Sequence, residues 1–229
     1  AGDMDIDMGT GTNVPADADV VVKGILSTTG SGEIAIDAED SIYVGTNITT
    51  VGDDVTFDAP AVLIGDTQIS TGAGSSGSIV FQGTLDGTYG LTLIAGMGDI
   101  TFSGQVGNTN ALGAVTVTNA RNVTANSTFR SASFVQSNGT GTTTLRDNVT
   151  TSAAAGVNLN TANIVLDGLN IVTTGSGIVW FNAPTNLTTG ATDIDAAGTI
   201  TFQNTLASTG AQNLTLESDA SIDFNNTVG

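Results

Sequence analysis

The sequence predicts an all-β protein wound as a parallel β-solenoid, one continuous segment over residues 1–229 with coils of about 21–24 residues. Three observations predict it. Short apolar-polar-apolar triplets, punctuated by Gly, Asn, Asp or Ser, fill the chain, and no stretch carries an apolar stripe at helical spacing. Phenylalanine recurs at steps of 24 (Phe57 to Phe81), 21 (Phe81 to Phe102), 21 (Phe181 to Phe202) and 22 residues (Phe202 to Phe224). The chain also repeats itself: Gly77–Leu85 (GSIVFQGTL) returns 121 residues later as Gly198–Leu206 (GTITFQNTL).

The triplets place the strands in order. Ile34/Ile36, Ile42/Val44, Val55/Phe57, Ile79/Phe81, Leu91/Leu93, Ile100/Phe102 and Val115/Val117 mark the first half. Leu159, Ile164/Leu166, Val179/Phe181, Ile200/Phe202, Leu214/Leu216 and Ile222/Phe224 mark the second. Each is a strand of three to five residues whose outer residues point inward. Two or three such strands and their turns make one coil. A coil cannot bury its inner face alone, so coils must stack, at about 4.8 Å, with like residue above like. Between Val115 and Leu159 the beat blurs and no register is assigned.

The duplication is long. VTFDAP (Val55–Pro60) pairs with VWFNAP (Val179–Pro184), and SIYVGTNI (Ser41–Ile48) with NIVLDGLNI (Asn163–Ile171). One offset of about 121–124 residues therefore matches 41–107 to 163–229. The two copies are expected to superpose coil upon coil, with their phenylalanines at one point of the coil. A repeat near 122 residues also fits tandem β-sandwich domains. Sandwich strands usually run longer, and they do not explain a 21-residue phenylalanine step.

Composition narrows the function. Four basic residues (Lys23, Arg121, Arg130, Arg146) face 22 acids, for a net charge of -18, which argues against nucleic acid and anionic membranes as partners. No apolar run approaches the 18 residues of a membrane span, so no membrane insertion is expected. The absence of Cys and His removes disulfides, thiolate metal sites and histidine-based nucleophilic catalysis.

The phrases AGMGDITFSGQVGNTNALGAVTVTNARNVTANSTF (Ala95–Phe129) and SASFVQSNGTGTTTL (Ser131–Leu145) resemble the repeats of giant bacterial surface proteins. Those are the filamentous-haemagglutinin-like adhesins and related β-strand-repeat proteins. The resemblance implies a right-handed parallel β-helix, a place at the bacterial cell surface, and a role as stalk, adhesin or matrix fibre. It supplies no catalytic residues.

Several residues are candidates for more than structure. The acids Asp3, Asp5, Asp7, Asp53, Asp54, Asp193 and Asp195 are candidate calcium ligands, although no cofactor is required by this reading. In DMDIDMG (Asp3–Gly9) a strand with Met4, Ile6 and Met8 inward competes with a calcium loop, and is favoured. Arg121 and Arg146, about one coil apart, invite comparison with polysaccharide-cleaving β-helices, yet salt bridging to nearby acids explains them more simply; no enzyme activity is expected. Threonine pairs such as Thr116/Thr118, Thr142/Thr144 and Thr199/Thr201 do not recur at one coil position, which argues against an ice-binding ladder. The exposed aromatics expected are Trp180, Tyr43 and Tyr89, and Trp180 is the one to expect in a glycan- or host-surface-binding face. Finally AGDMDI (Ala1–Ile6) resembles GMGDITF (Gly96–Phe102). Both ends thus read as mid-repeat, and the expected partners are further repeats of one long polypeptide or copies stacked head to tail.

Overall fold

The computed structural model describes residues 4–7 and 19–229. Among these residues there are 28 strands and no helix. Every strand pairs in parallel with the one a coil away, building a β-solenoid of about nine turns. Among the described residues there is no tandem sandwich.

The coil is three-sided. The first face is a ten-stranded sheet running from Met4–Asp7 through Ile34–Asp37, Val55–Phe57, Ile79–Phe81, Ile100–Phe102, Val123–Ala125, Thr142–Leu145, Asn163–Leu166 and Thr185–Leu187 to Leu206–Ser208. The second face starts at Val20–Val22, Ile42–Val44, Ala61–Leu63 and Leu85–Gly87. It continues through a bridge at Val106 and then Val149–Thr151, Asn170–Thr173, Thr192–Ala196 and Leu214–Ser218. The third face carries Thr67–Ser70, Leu91–Ile94, Leu112–Asn119, Val157–Leu159, Val179–Phe181, Ile200–Phe202 and Ile222–Phe224. Strand Phe129–Gln136 rounds the corner between the second and third faces, pairing first with Val149–Thr151 and then with Val157–Leu159.

Because strands are short and alternate with period two, a three-residue strand such as Val55–Phe57 turns two residues inward and one outward. The inward residues of all three faces form one core from Val20 to Leu206. Stacking puts ring on ring. Phe57 and Phe81 stack at 4.8 Å between centroids, and Phe81 and Phe102 at 5.4 Å.

The phenylalanines form two ladders, not one. Phe57, Phe81 and Phe102 are in register on the first face. Phe181, Phe202 and Phe224 are in register on the third. The coil lengths explain the change. Following register on the first face, six coils from Phe57 lead to Leu187, 130 residues on. The sequence echo of Phe57 is Phe181, 124 residues on, and so falls six residues short, one strand and corner earlier. The second copy is thus carried round by one face. The expectation that both copies place their phenylalanines at the same point of the coil is corrected accordingly.

The blurred stretch has a physical cause as well. The coil from Val123 to Thr143 is only 20 residues and the third-face step from Val115 to Phe134 only 19, against 23 and 24 in the coils before them. In this short coil Ala125 takes the place in register with Phe102. The space is filled from the adjacent face by Phe129, edge-on to Phe102 at 5.4 Å and stacked on Phe134 at 4.6 Å.

On the third face, Gln136 stands in register between Val117 and Leu159 and is 1% exposed. Its carbonyl accepts the hydroxyl of buried Thr143, while its Nε2 has no partner. Removing only one member strands the other, at about 1–3 kcal/mol. We expect Thr143→Val alone to lower the denaturation midpoint. Gln136→Met with Thr143→Val should recover at least the parent midpoint, since neither position then holds an unsatisfied polar atom. A double variant weaker than the single one would show that the pair stabilises the short coil.

Candidate functional site

Function must reside on the outer faces, because the interior is filled. The first face turns outward a column of small, uncharged residues: Thr56, Val80, Thr101, Thr124, Thr144 and Val165, in register on successive coils. Thr101, Thr124 and Thr144 therefore do stack. The pairs singled out in the sequence form no ladder together: Thr144 lies on the first face, while Thr116 and Thr201 share a column of the third face but are separated in it by Val135, Asn158 and Trp180.

The acids occupy corners and outer positions. Asp3 lies outside the described residues, as does Met8. Asp5 and Asp7 belong to strand Met4–Asp7, in register with Ala35 and Asp37, so this stretch is a strand. Asp53 Oδ2 accepts the Gly32 N–H at 2.9 Å, and Asp54 Oδ1 accepts the Ser78 N–H at 2.7 Å. These two carboxylates tie neighbouring coils together at the corner entering the first face. Asp193 and Asp195 point outward from Thr192–Ala196, beside Asn170 and Val172 on one side and Thr215 and Glu217 on the other. Among the described residues no three acids are grouped to hold a metal ion.

Arg121 and Arg146 do not meet: they flank opposite ends of the first-face strands. Arg121 makes a two-pronged pair with Asp99, Nε to Oδ1 at 2.9 Å and Nη2 to Oδ2 at 2.7 Å. Arg146 Nε lies 3.9 Å from Asp167 Oδ2. The hydrogen bond from Arg121, with help from Asn122 and against the cost of burial, holds the Asp99 carboxyl below the usual carboxylate range. The hydroxyl of Thr189, then Thr188 and Arg146, lower Asp167 likewise. A carboxyl whose folded value is depressed contributes stability above its unfolded value, and loses it as pH falls through the folded one. We therefore expect the melting temperature of the parent to drop on acidification below about pH 4. Asp99→Asn should flatten part of that slope while lowering stability at pH 7. An unchanged acid limb in Asp99→Asn would assign the acid sensitivity elsewhere.

Tyr89 is 43% exposed on another part of the surface, and Trp180, at the centre of Val179–Phe181, is 39% exposed. Its neighbours in register are Asn158 on one coil and Thr201 on the other, with Val135 a coil beyond Asn158. A groove of about 250 Å³ lies here, bordered by Val135, Ser137, Asn158, Asn160, Trp180 and Asn182. At the adjoining corner the amides form a ladder: Asn182 Nδ2 donates to Asn160 Oδ1 at 3.1 Å, and Asn160 Nδ2 donates to the Ser137 carbonyl at 2.8 Å. Asn225 Nδ2 donates to Gln203 Oε1 at 3.0 Å on the same corner. Sequence reading found Trp180 and its outward direction but missed the amides. The signal was present, for Asn160, Asn182, Gln203 and Asn225 follow one another at 22, 21 and 22 residues.

Comparison with protein-family models, curated proteins and solved structures finds no match to this chain.

Proposed function

We propose that the chain is a structural segment of an extracellular bacterial fibre or adhesin stalk, without catalysis. The observation that carries this reading is the single core, unbroken from coil to coil, wrapped on three faces by parallel strands hydrogen-bonded from one coil to the next. Such a rod resists bending and unravelling along its axis because every backbone ladder lies parallel to it. The outer positions are mostly short and polar, and the charge of -18 keeps rods apart in solution. The resemblance of Ala95–Phe129 and Ser131–Leu145 to surface-protein repeats supports the cell-surface location.

Ile222 and Phe224, in the coil following Ile200–Phe202, are 38% and 43% exposed, although they are in register with buried Ile200 and Phe202. They form an exposed apolar patch onto which a second copy can stack. The isolated 229-residue segment is expected to self-associate as its concentration rises, and Phe224→Glu to suppress this in sedimentation velocity. Equal association of both proteins would show that this patch is not the contact.

The function itself is tested on intact cells of the source organism. An antibody against the segment should label external filaments, and the denatured native polypeptide should run far above 22.8 kDa if the rod is one long chain or near it if copies stack. Labelling seen only after lysis would overturn the reading.

A further inference from the structure

We propose that the groove beside Trp180 binds a neutral saccharide chain, a role separate from the structural one. Its chemistry selects the ligand. None of the bordering residues is ionisable, on a protein whose net charge is -18. The site thus gives an anion no cation to pair with, and it places no carboxylate beside the ring to anchor a cation. What it does offer is a broad apolar ring next to unused amide groups. The Asn158 side-chain amide is half-buried in the groove and bonds to none of the described residues, leaving both its donor and its acceptor to a ligand. Asn182 spends its Nδ2 on Asn160 and keeps its carbonyl.

A ligand that uses both must present a flat apolar face with donors and acceptors around its rim. A pyranose ring meets that description, with C–H groups against the indole and hydroxyls against the amides. An extended peptide does not, because it would bind through a free strand edge. Strand Val179–Phe181 has none, being paired on both sides.

The groove is also shallow. At about 250 Å³ it falls below the ~300 Å³ at which pockets begin to enclose small molecules. It therefore takes a segment of a chain that runs on past it and not a sequestered monosaccharide. The corner ladder, held by its own hydrogen bonds, fixes Asn160 and Asn182 before the ligand arrives and reduces the ordering cost of binding.

Trp180 is the sole tryptophan, so its fluorescence reports on this groove alone. The experiment titrates the protein with neutral hexasaccharides of glucose (β-1,4 and α-1,4), N-acetylglucosamine, mannose and xylose, with choline and an alternating Val-Thr hexapeptide as comparisons. At least one hexasaccharide should shift the emission saturably. By calorimetry, Asn158→Ala and Asn182→Ala should each weaken that binding tenfold or more. Trp180→Thr, which copies Thr201 of the next coil and so preserves the fold, should abolish it. The proposal is overturned if no saccharide shifts the emission, if only choline or the peptide does, or if Trp180→Thr binds as the parent does.

Discussion

Phe81→Ala is expected to destabilise the solenoid by about 3–5 kcal/mol, among the largest effects of any side-chain truncation in the chain. The ring is 1% exposed and lies between two others, Phe57 at 4.8 Å and 6° and Phe102 at 5.4 Å and 2°. The rings above and below cannot close the gap, since each strand is pinned in register with its neighbours, Val55 to Ile79 to Ile100. The cavity therefore persists and adds its cost to the lost transfer energy. Phe224 supplies the comparison. It stacks on Phe202 at 5.3 Å and 6° but is 43% exposed, so its truncation opens no closed cavity. Phe224→Ala should cost only about 1 kcal/mol. Urea midpoints followed by Trp180 fluorescence would measure both. Equal losses would mean that stacking, and not enclosure, sets the contribution of each ring.

The same ladder shows what was legible beforehand. Inward and outward alternate along the short strands, so Phe57, Phe81, Phe102, Phe181, Phe202 and Phe224 could be assigned to the interior, and their spacing gave the coil length; the first five are buried, whereas Phe224 is 43% exposed. Which of three faces each one enters was not legible. All faces use mostly three- to five-residue strands of the same alternating kind, separated by similar Gly- and Asn-rich corners. A repeat that falls six residues short of a whole number of coils looks identical in the sequence to one that does not. The short coil was hidden for a related reason. Ala125 stands where a phenylalanine was expected, and its replacement, Phe129, comes from a different strand, so no fixed spacing reveals the exchange. At the candidate site the lone tryptophan drew attention because of its rarity. The asparagines beside it did not, because Asn is common here and only register shows that four amides share one corner.

Gly98→Ala is expected to cost about 3 kcal/mol or more, through backbone instead of core. Corners are where coils approach most closely. A Cβ on Gly98 would lie 2.0 Å from the Gly77 carbonyl oxygen and 2.5 Å from its carbon, and a Cβ on Gly77 would lie 2.4 Å from the Asp53 oxygen. These are contacts with backbone, so no rotamer change relieves them. To admit the methyl group the corner must move outward. That motion pulls on the Arg121 N–H to Gly98 carbonyl bond at 2.8 Å and the neighbouring Ile79 N–H to Asp99 carbonyl bond at 2.9 Å, which tie Gly98 and Asp99 to the coils on either side. The disturbance therefore spreads to the Asp99–Arg121 pair next in the chain. Gly74, in the same corner region, has no atom within 4 Å of its would-be Cβ. Gly74→Ala should be neutral or stabilise by up to about 1 kcal/mol, by restricting the unfolded chain. Thermal and urea denaturation of the two variants side by side would separate a general dislike of alanine at corners from the specific closeness of stacked coils. Comparable losses in both would remove the close-approach argument.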